Sequence, residues 1–375
     1  MQRSADVVIV GAGVAGCATA YYLAREDVNV LVLERDAIGS HSSGFALGLL
    51  NPLNATGVPG FNQAMIETGF LMHKDLWPVL EEESGVDIQV RMTPHLELFL
   101  TAADENRQQA DMDRWAAADG FTTRRLDADE ARKLEPRITG DLHGAVLLES
   151  VAMLDSYRFT LALAQAAQHH GAEFATGTAV GLAWTDGKVT GVELEGEVVA
   201  CESAVFAMGP WSELASSWLG FDVPVAPLKG EIIYLEGMTP PLEYHVHGAC
   251  SIVNKADGLV WVAATQEQAG FDDTVSVAAR DTLMRTALTM MPGLSELKLV
   301  RQTACLRPVT PDAMPILGRA PGLEGAYLAT GAEKQGIQIS PAMGKAVSDL
   351  ILRGQTDMPI EDYGAERFAS DAAPR

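Results

Sequence analysis

The stretch from Asp6 to Glu34 restricts the fold more than any other part of the chain. Asp6-Val7-Val8-Ile9-Val10 is a β-branched run that stops at Gly11, and Gly-Ala-Gly-Val-Ala-Gly follows. Apolar residues then recur at helical spacing from Cys17 to Arg25, and Val28 to Leu33 reads as a second strand. Strand, glycine turn, helix and strand in that order open a parallel α/β sheet. Gly11 suits the tight turn, Gly13 lets backbone approach a pyrophosphate, and Gly16 lets the helix lie close on the strand. Val14 and Ala15 then bring the first N–H groups of the helix, and the positive end of its dipole, to the phosphates. Glu34 closes the second strand, where a carboxylate accepts hydrogen bonds from both hydroxyls of an adenosine ribose. Dinucleotide binding is the expectation, and the motif alone does not choose between NAD and FAD.

The chain has 375 residues, more than a single domain of about 100–200 residues uses. Its 27 basic and 50 acidic residues leave a net charge of -23, a field that repels phosphate backbones and anionic lipid headgroups, so nucleic acid is not an expected partner. Cys17, Cys201, Cys250 and Cys305 include no C-x-x-C pair, which points away from a disulfide framework or zinc site and towards a reducing, cytoplasmic setting. The run Val7 to Val10 is far shorter than a membrane span, and neither a span nor a signal peptide is expected. No linker or repeat interrupts the chain before a short polar tail after Phe368, so any domains are expected to be woven together.

After Glu34 comes Arg35-Asp36-Ala37-Ile38-Gly39-Ser40-His41-Ser42-Ser43-Gly44, a hydroxyl-rich loop able to wrap phosphate oxygens and pass beside a flat ring. Phe45 to Pro52, Ala204 to Ser212, Cys305 to Gly318, Leu328 to Gly331 and Gly336 to Ala342 follow in order. In these segments the chain resembles, over nearly its whole length, the D-amino acid oxidase and glycine oxidase (DAO) family of FAD-dependent flavoproteins. The resemblance implies an α/β fold in which a Rossmann-like FAD-binding domain is interleaved with an α+β substrate domain built on a mostly antiparallel sheet. Residues 1–86, 145–223 and 303–375 would form the first, and 87–144 and 224–302 the second. It also implies cofactor contacts from Arg35, Ser42, Ser43, Gly44, Gly48 and Leu49, and from Val180 at the adenine. Further contacts come from Ala207, Gly209 and Trp211, and from Gly331, Gln335, Gly336, Ile337 and Gln338.

Local signals agree with this outline. Leu328 to Thr330 reads as a third buried strand, and Ser340-Pro341 as the start of a helix from Ala342 to Leu352, with proline in its first turn. Tyr157 to His170 reads as a helix capped by Asp155 or Ser156, with turns at Asp186-Gly187 and Glu195-Gly196. Ile232 to Leu235 and Leu259 to Ala264 alternate as strands.

Arg307 can hold a carboxylate in a bidentate fork, and the resemblance gives the arginine of Leu306-Arg307-Pro308 the carboxylate of the substrate. The alternative is an arginine satisfied by a neighbour such as Asp312. Lys334 stands where glycine oxidases often place a second cation, or is an exposed lysine. The sequence departs from the family pattern at Ala332, where relatives commonly carry histidine, at the added Glu333, and at Ser251, which takes the place of a substrate-binding tyrosine. That opens the pocket and makes His247 a candidate pocket residue. His245 and His247 share a strand face, a spacing that can bind metal, but no third ligand is evident and no metal is expected. Cys305 stands before Thr310 at the spacing by which monomeric sarcosine oxidases attach flavin covalently. Arg307 and Pro308 follow the version without that bond, so non-covalent FAD is expected and a Cys305 link is the minority alternative.

The resemblance therefore implies FAD-dependent oxidation of small amino acids such as glycine, sarcosine or D-amino acids. Hydride passes from the α-carbon to flavin N5, and the imine hydrolyses to an oxoacid. Oxygen or another acceptor completes the cycle. The alternative is a D-amino acid dehydrogenase, or the flavin subunit of a heteromeric amine or opine dehydrogenase, and the sequence leaves homo-oligomer and heteromer open.

Overall fold

Strand Val7–Val10 is buried along its whole length, as a β-branched run with helices on one face and a second sheet on the other must be. It lies between two parallel partners, Val30–Glu34 and Ser203–Phe206. Glu173–Thr176 extends the sheet on one side, and Ala326–Thr330 with the antiparallel Ile316–Arg319 on the other, giving six strands. Successive side chains point to opposite faces. Val7 and Ile9 pack under helices Val14–Ala24, Ser156–His169 and Gly336–Arg353. Val8 and Val10 pack against a three-stranded meander, Ala179–Thr185, Lys188–Leu194 and Glu197–Ala200, which turns at Asp186-Gly187 and Glu195-Gly196 as expected. The computed structural model describes residues 4–53, 60–118 and 120–368, and the polar tail beyond Phe368 lies outside them.

The second sheet has eight strands in the order Lys298–Val309, Ala226–Glu236, Val260–Ala263, Ser251–Asn254, His245–His247, His95–Phe99, Gly144–Leu148 and Thr123–Asp127. Every pairing is antiparallel except that of His245–His247 with His95–Phe99. The expected divisions at 144/145 and 302/303 fall inside strands Gly144–Leu148 and Lys298–Val309. Both strands run on because the sheet is incomplete without them. The fold is thus an α/β FAD-binding architecture interleaved with a largely antiparallel sheet.

Two helix ends show what local sequence can and cannot specify. Helix Ser156–His169 starts on Asp155, whose side chain accepts from the Arg158 N–H. The helix expected from Ala342 instead begins at Gly336 and carries Pro341 inside it. Proline has no N–H for the carbonyl one turn back. That carbonyl, on Ile337, is served by His73 Nε2 and Ser340 Oγ, each at 2.9 Å.

Candidate active site

The C-terminal ends of the parallel strands, where open α/β sheets bind ligands, form one wall of a cavity of about 750 Å³. Strands of the second sheet form the other wall. At the first turn Gly11 adopts a φ of +107°, and a Cβ on Gly16 would collide with the Gly11 carbonyl. Gly16 therefore supports the turn from beneath and does not line the cavity. Gly11, Gly13, Val14 and Ala15 do. The Val14 N–H donates to Ser43 Oγ at 3.0 Å, so the serine loop is laced to the helix start.

Glu34 lies at the cavity edge, its carboxylate oriented by the Ala12 N–H at 2.8 Å and the Asp36 N–H at 2.9 Å. Arg35 pairs with Asp36 and lays its guanidinium 3.9 Å from the Trp211 ring centre, and Trp211 stacks on Phe271. Ser42, Ser43, Gly48, Leu49, Ala207, Gly209, Trp211, Gly331, Gln335, Gly336, Ile337 and Gln338 all line the cavity. Gly44 does not, being turned against the Gly39 carbonyl. Val180 does not either: it sits where the strand register shifts between Ala179 and Gly181 and is 44% exposed, while Gly177, Thr178 and Ala179 line the cavity.

Two cavity-lining amides carry the test of cofactor fit. Among the described residues Asn51 Nδ2 and Gln338 Nε2 are buried without a hydrogen-bond partner, while Gln338 Oε1 accepts from the Asn51 N–H at 2.9 Å. Buried donors need acceptors. A flavin, whose ring edge carries carbonyl oxygens and unprotonated nitrogens, matches that demand.

Arg307 enters from strand Lys298–Val309, opposite Ala226–Glu236. Its guanidinium lies over Gly230, where a Cβ would collide with it, and Nη1 donates to the Thr265 carbonyl at 3.2 Å. Among the described residues no carboxylate stands within ion-pairing distance of it. Asp312 is engaged elsewhere, by Arg367 at 2.8 Å. Burial pulls Arg307 below its ordinary pKa, against the opposing influence of Cys305 and Glu333. Lys334 also faces the cavity, with Nζ 3.9 Å from Glu333 Oε1. Cys305 lines the cavity too, and burial pushes its thiol up although Arg307 opposes the shift. A protonated thiol is a poor nucleophile.

His247 lines the cavity with His95 and His245. The parallel register sets His245 beside His95 and His247 beside Glu97. Donor atoms of His95, Glu97 and His247 all lie within 4.8 Å of one another, and His245, the other histidine of the pair noted in sequence, is not among them. Both ring nitrogens approach the same oxygen, Glu97 Oε2, at 2.8 and 2.7 Å, the spacing of N–H donors on a carboxylate. His95, Glu97 and Asn51 are the site residues that sequence reasoning missed. The alternation His95-Leu96-Glu97 was the available signal for two of them.

The DAO family model, described as FAD dependent oxidoreductase, matches residues 6–350. The chain belongs to this family of FAD-dependent oxidoreductases, and FAD is its cofactor. It is similar to glycine oxidase from Bacillus subtilis, 30% identical with 95% of each chain covered. It is also similar to a D-amino acid dehydrogenase from Allorhizobium ampelinum, 26% identical with 97% of this chain and 99% of that one covered. Among solved structures, glycine oxidase from Geobacillus kaustophilus superposes with a TM-score of 0.93 at 26% identity, covering 98% of this chain and 100% of the other. Among the described residues no helix is long and apolar enough to cross a membrane.

Proposed function

We propose that this enzyme oxidises small amino acids, with glycine, sarcosine and D-amino acids as the substrate class, and releases an imine that hydrolyses to an oxoacid and ammonia or an amine. The observation that carries the reading is Arg307: a largely buried guanidinium in the cavity wall with one carbonyl partner and, among the described residues, no carboxylate within ion-pairing distance. An unpaired buried cation is costly, and a substrate carboxylate supplies its counter-charge through a bidentate fork. Lys334 also lines the cavity and adds positive potential there. FAD supplies the hydride acceptor, at its N5 atom. Gly11, Gly13, Val14, Ser43 and Glu34 would hold its nucleotide half, and Asn51, Gly331, Gly336 and Gln338 its ring. The protein fixes the carboxylate, aligns the α-carbon and shields it from water. Non-covalent attachment is supported by the protonated Cys305 thiol. Four free, buried cysteines support a reducing, cytoplasmic setting.

The test is the visible spectrum of the oxygen-free holoenzyme during addition of glycine, sarcosine and a panel of D- and L-amino acids. Bleaching with one group identifies the substrate, and no bleaching with any of them refutes the reading. The likeness to a D-amino acid dehydrogenase favours a second reading, in which the electrons leave to a quinone or protein acceptor, possession of a partner subunit included. Hydrogen peroxide formed in air at the rate of substrate loss rejects it.

A further inference from the structure

The cavity wall contains a chain of four side chains for which binding of the cofactor or of a carboxylate has no use. Glu97, 2% exposed, accepts on Oε2 from His247 Nδ1 at 2.7 Å and from His95 Nε2 at 2.8 Å. His95 Nδ1 meets His245 Nδ1 at 2.9 Å. An ionised carboxylate only accepts, so His95 carries its proton on Nε2 and its Nδ1 is bare. His245 then donates from Nδ1, which leaves its buried Nε2 an acceptor without a partner among the described residues. His247 is anchored through Nδ1 in the same way, and its Nε2 is the atom left to meet a ligand in the cavity.

We propose that His247 Nε2 takes the ammonium proton of the amino acid substrate, and that Glu97, itself held by His95, is the positioning residue that orients His247 and stabilises its charged form. The inference rests on the activity proposed above. The N–H bond of the substrate ammonium breaks and its proton forms an N–H bond on His247, giving an imidazolium beside the Glu97 carboxylate. The electron pair left on the amine nitrogen then assists departure of hydride from the α-carbon. The imidazolium returns its proton to water once the product has left the cavity that His247 lines.

The surrounding charges agree with this assignment. Burial works against a charged His247, but the Glu97 charge and hydrogen bond outweigh it and raise its pKa above the ordinary value, with Lys334 across the cavity opposing. Burial alone would raise the Glu97 carboxyl, and the two imidazoles bring it down to about 2. His95 is held neutral chiefly by burial. His245 is too, with the charges of His95, His247 and Lys255 adding to the effect. Of these three histidines, His247 is the one whose charged form its surroundings favour, through Glu97.

The experiment uses the holoenzyme with labelled histidines and follows their ring resonances by NMR against pH, alongside the pH profile of kcat/KM for glycine, sarcosine and D-alanine. His247→Asn assigns the His247 signal. In Glu97→Gln that signal should titrate at lower pH, the acid limb of the kcat/KM profile should move with it, and kcat/KM near neutral pH should fall about a hundredfold. Glu97→Asp should recover part of the loss. Glu97→Gln is judged only on protein with a full flavin spectrum, and His95→Gln, expected to shift the same signal, is the second variant. Turnover with a profile unmoved in Glu97→Gln overturns the relay alone. A stoichiometric metal on purified holoenzyme that is lost in Glu97→Gln overturns it too. Absence of turnover with every substrate overturns the proposed activity and proton acceptance together.

Discussion

Arg307 and Cys305 stand two residues apart on one strand and face the same cavity, yet only the arginine is in a state to react with anything. Replacing Arg307 with alanine should cost about two orders of magnitude in kcat/KM for a carboxylate substrate, since a buried charge loses its partner. Lysine, which keeps the charge but not the fork, should recover only part of that. Steady-state kinetics on the three forms check both statements, and an unchanged kcat/KM in Arg307→Ala removes the arginine from substrate binding. The Cys305 thiol, raised by burial, should form no bond to the cofactor. Acid-denatured protein should therefore release all of its flavin into the supernatant, and Cys305→Ala should retain a full flavin spectrum.

Helix Gly336–Arg353 depends on a side chain from another helix. His73, on Gln63–Ser84, donates to the carbonyl that Pro341 leaves free and accepts from Trp77 Nε1 at 3.2 Å. Burial holds it neutral, with a pKa lowered from 6.5 to about 4. As pH falls through the ordinary histidine range the unfolded chain takes up a proton that the folded chain refuses. The contribution of His73 is therefore intact above about pH 6.5 and is lost progressively towards about pH 4, at up to about 1.4 kcal/mol per pH unit. Urea midpoints near pH 7 and pH 5 should differ more in the wild type than in His73→Asn, by the equivalent of about 2 kcal/mol.

The same helix shows where the sequence stopped being readable. Ser340-Pro341 carries every local mark of a helix start, and the earlier start depends on a histidine 264 residues away. The strand, glycine turn and helix at Val7 to Ala24 were legible because each signal lies next to the one it supports. The place of Arg307 in the cavity wall was legible through its neighbours Leu306 and Pro308. Glu97 was not, since its meaning comes from His247, 150 residues further on, across a parallel register that no local pattern encodes.

At the scale of the whole molecule the two sheets cannot be separated by cutting the chain once. Val7–Val10 needs Ser203–Phe206 as its neighbour, and between them the chain has already supplied three strands to the other sheet. Such non-local pairing folds slowly, and a ligand that spans both walls of the cavity stabilises the assembled form by mass action. Free FAD at about a hundred times its dissociation constant should add about 2.7 kcal/mol to cofactor-stripped protein. That should appear as a rise of several degrees in Tm, with NAD at the same concentration producing none. Equal shifts from both would show that the cavity does not discriminate between the two dinucleotides.

Gly230 governs the direction of Arg307 while having no side chain of its own. The guanidinium occupies the space a Cβ would take, so its aim is set by an absence on the neighbouring strand. Any larger residue at position 230 would swing the cation to a new bearing without deleting it. Divergence of substrate range in such a scaffold therefore has a hinge point outside the residues that touch substrate, at a position an inventory of functional groups would pass over.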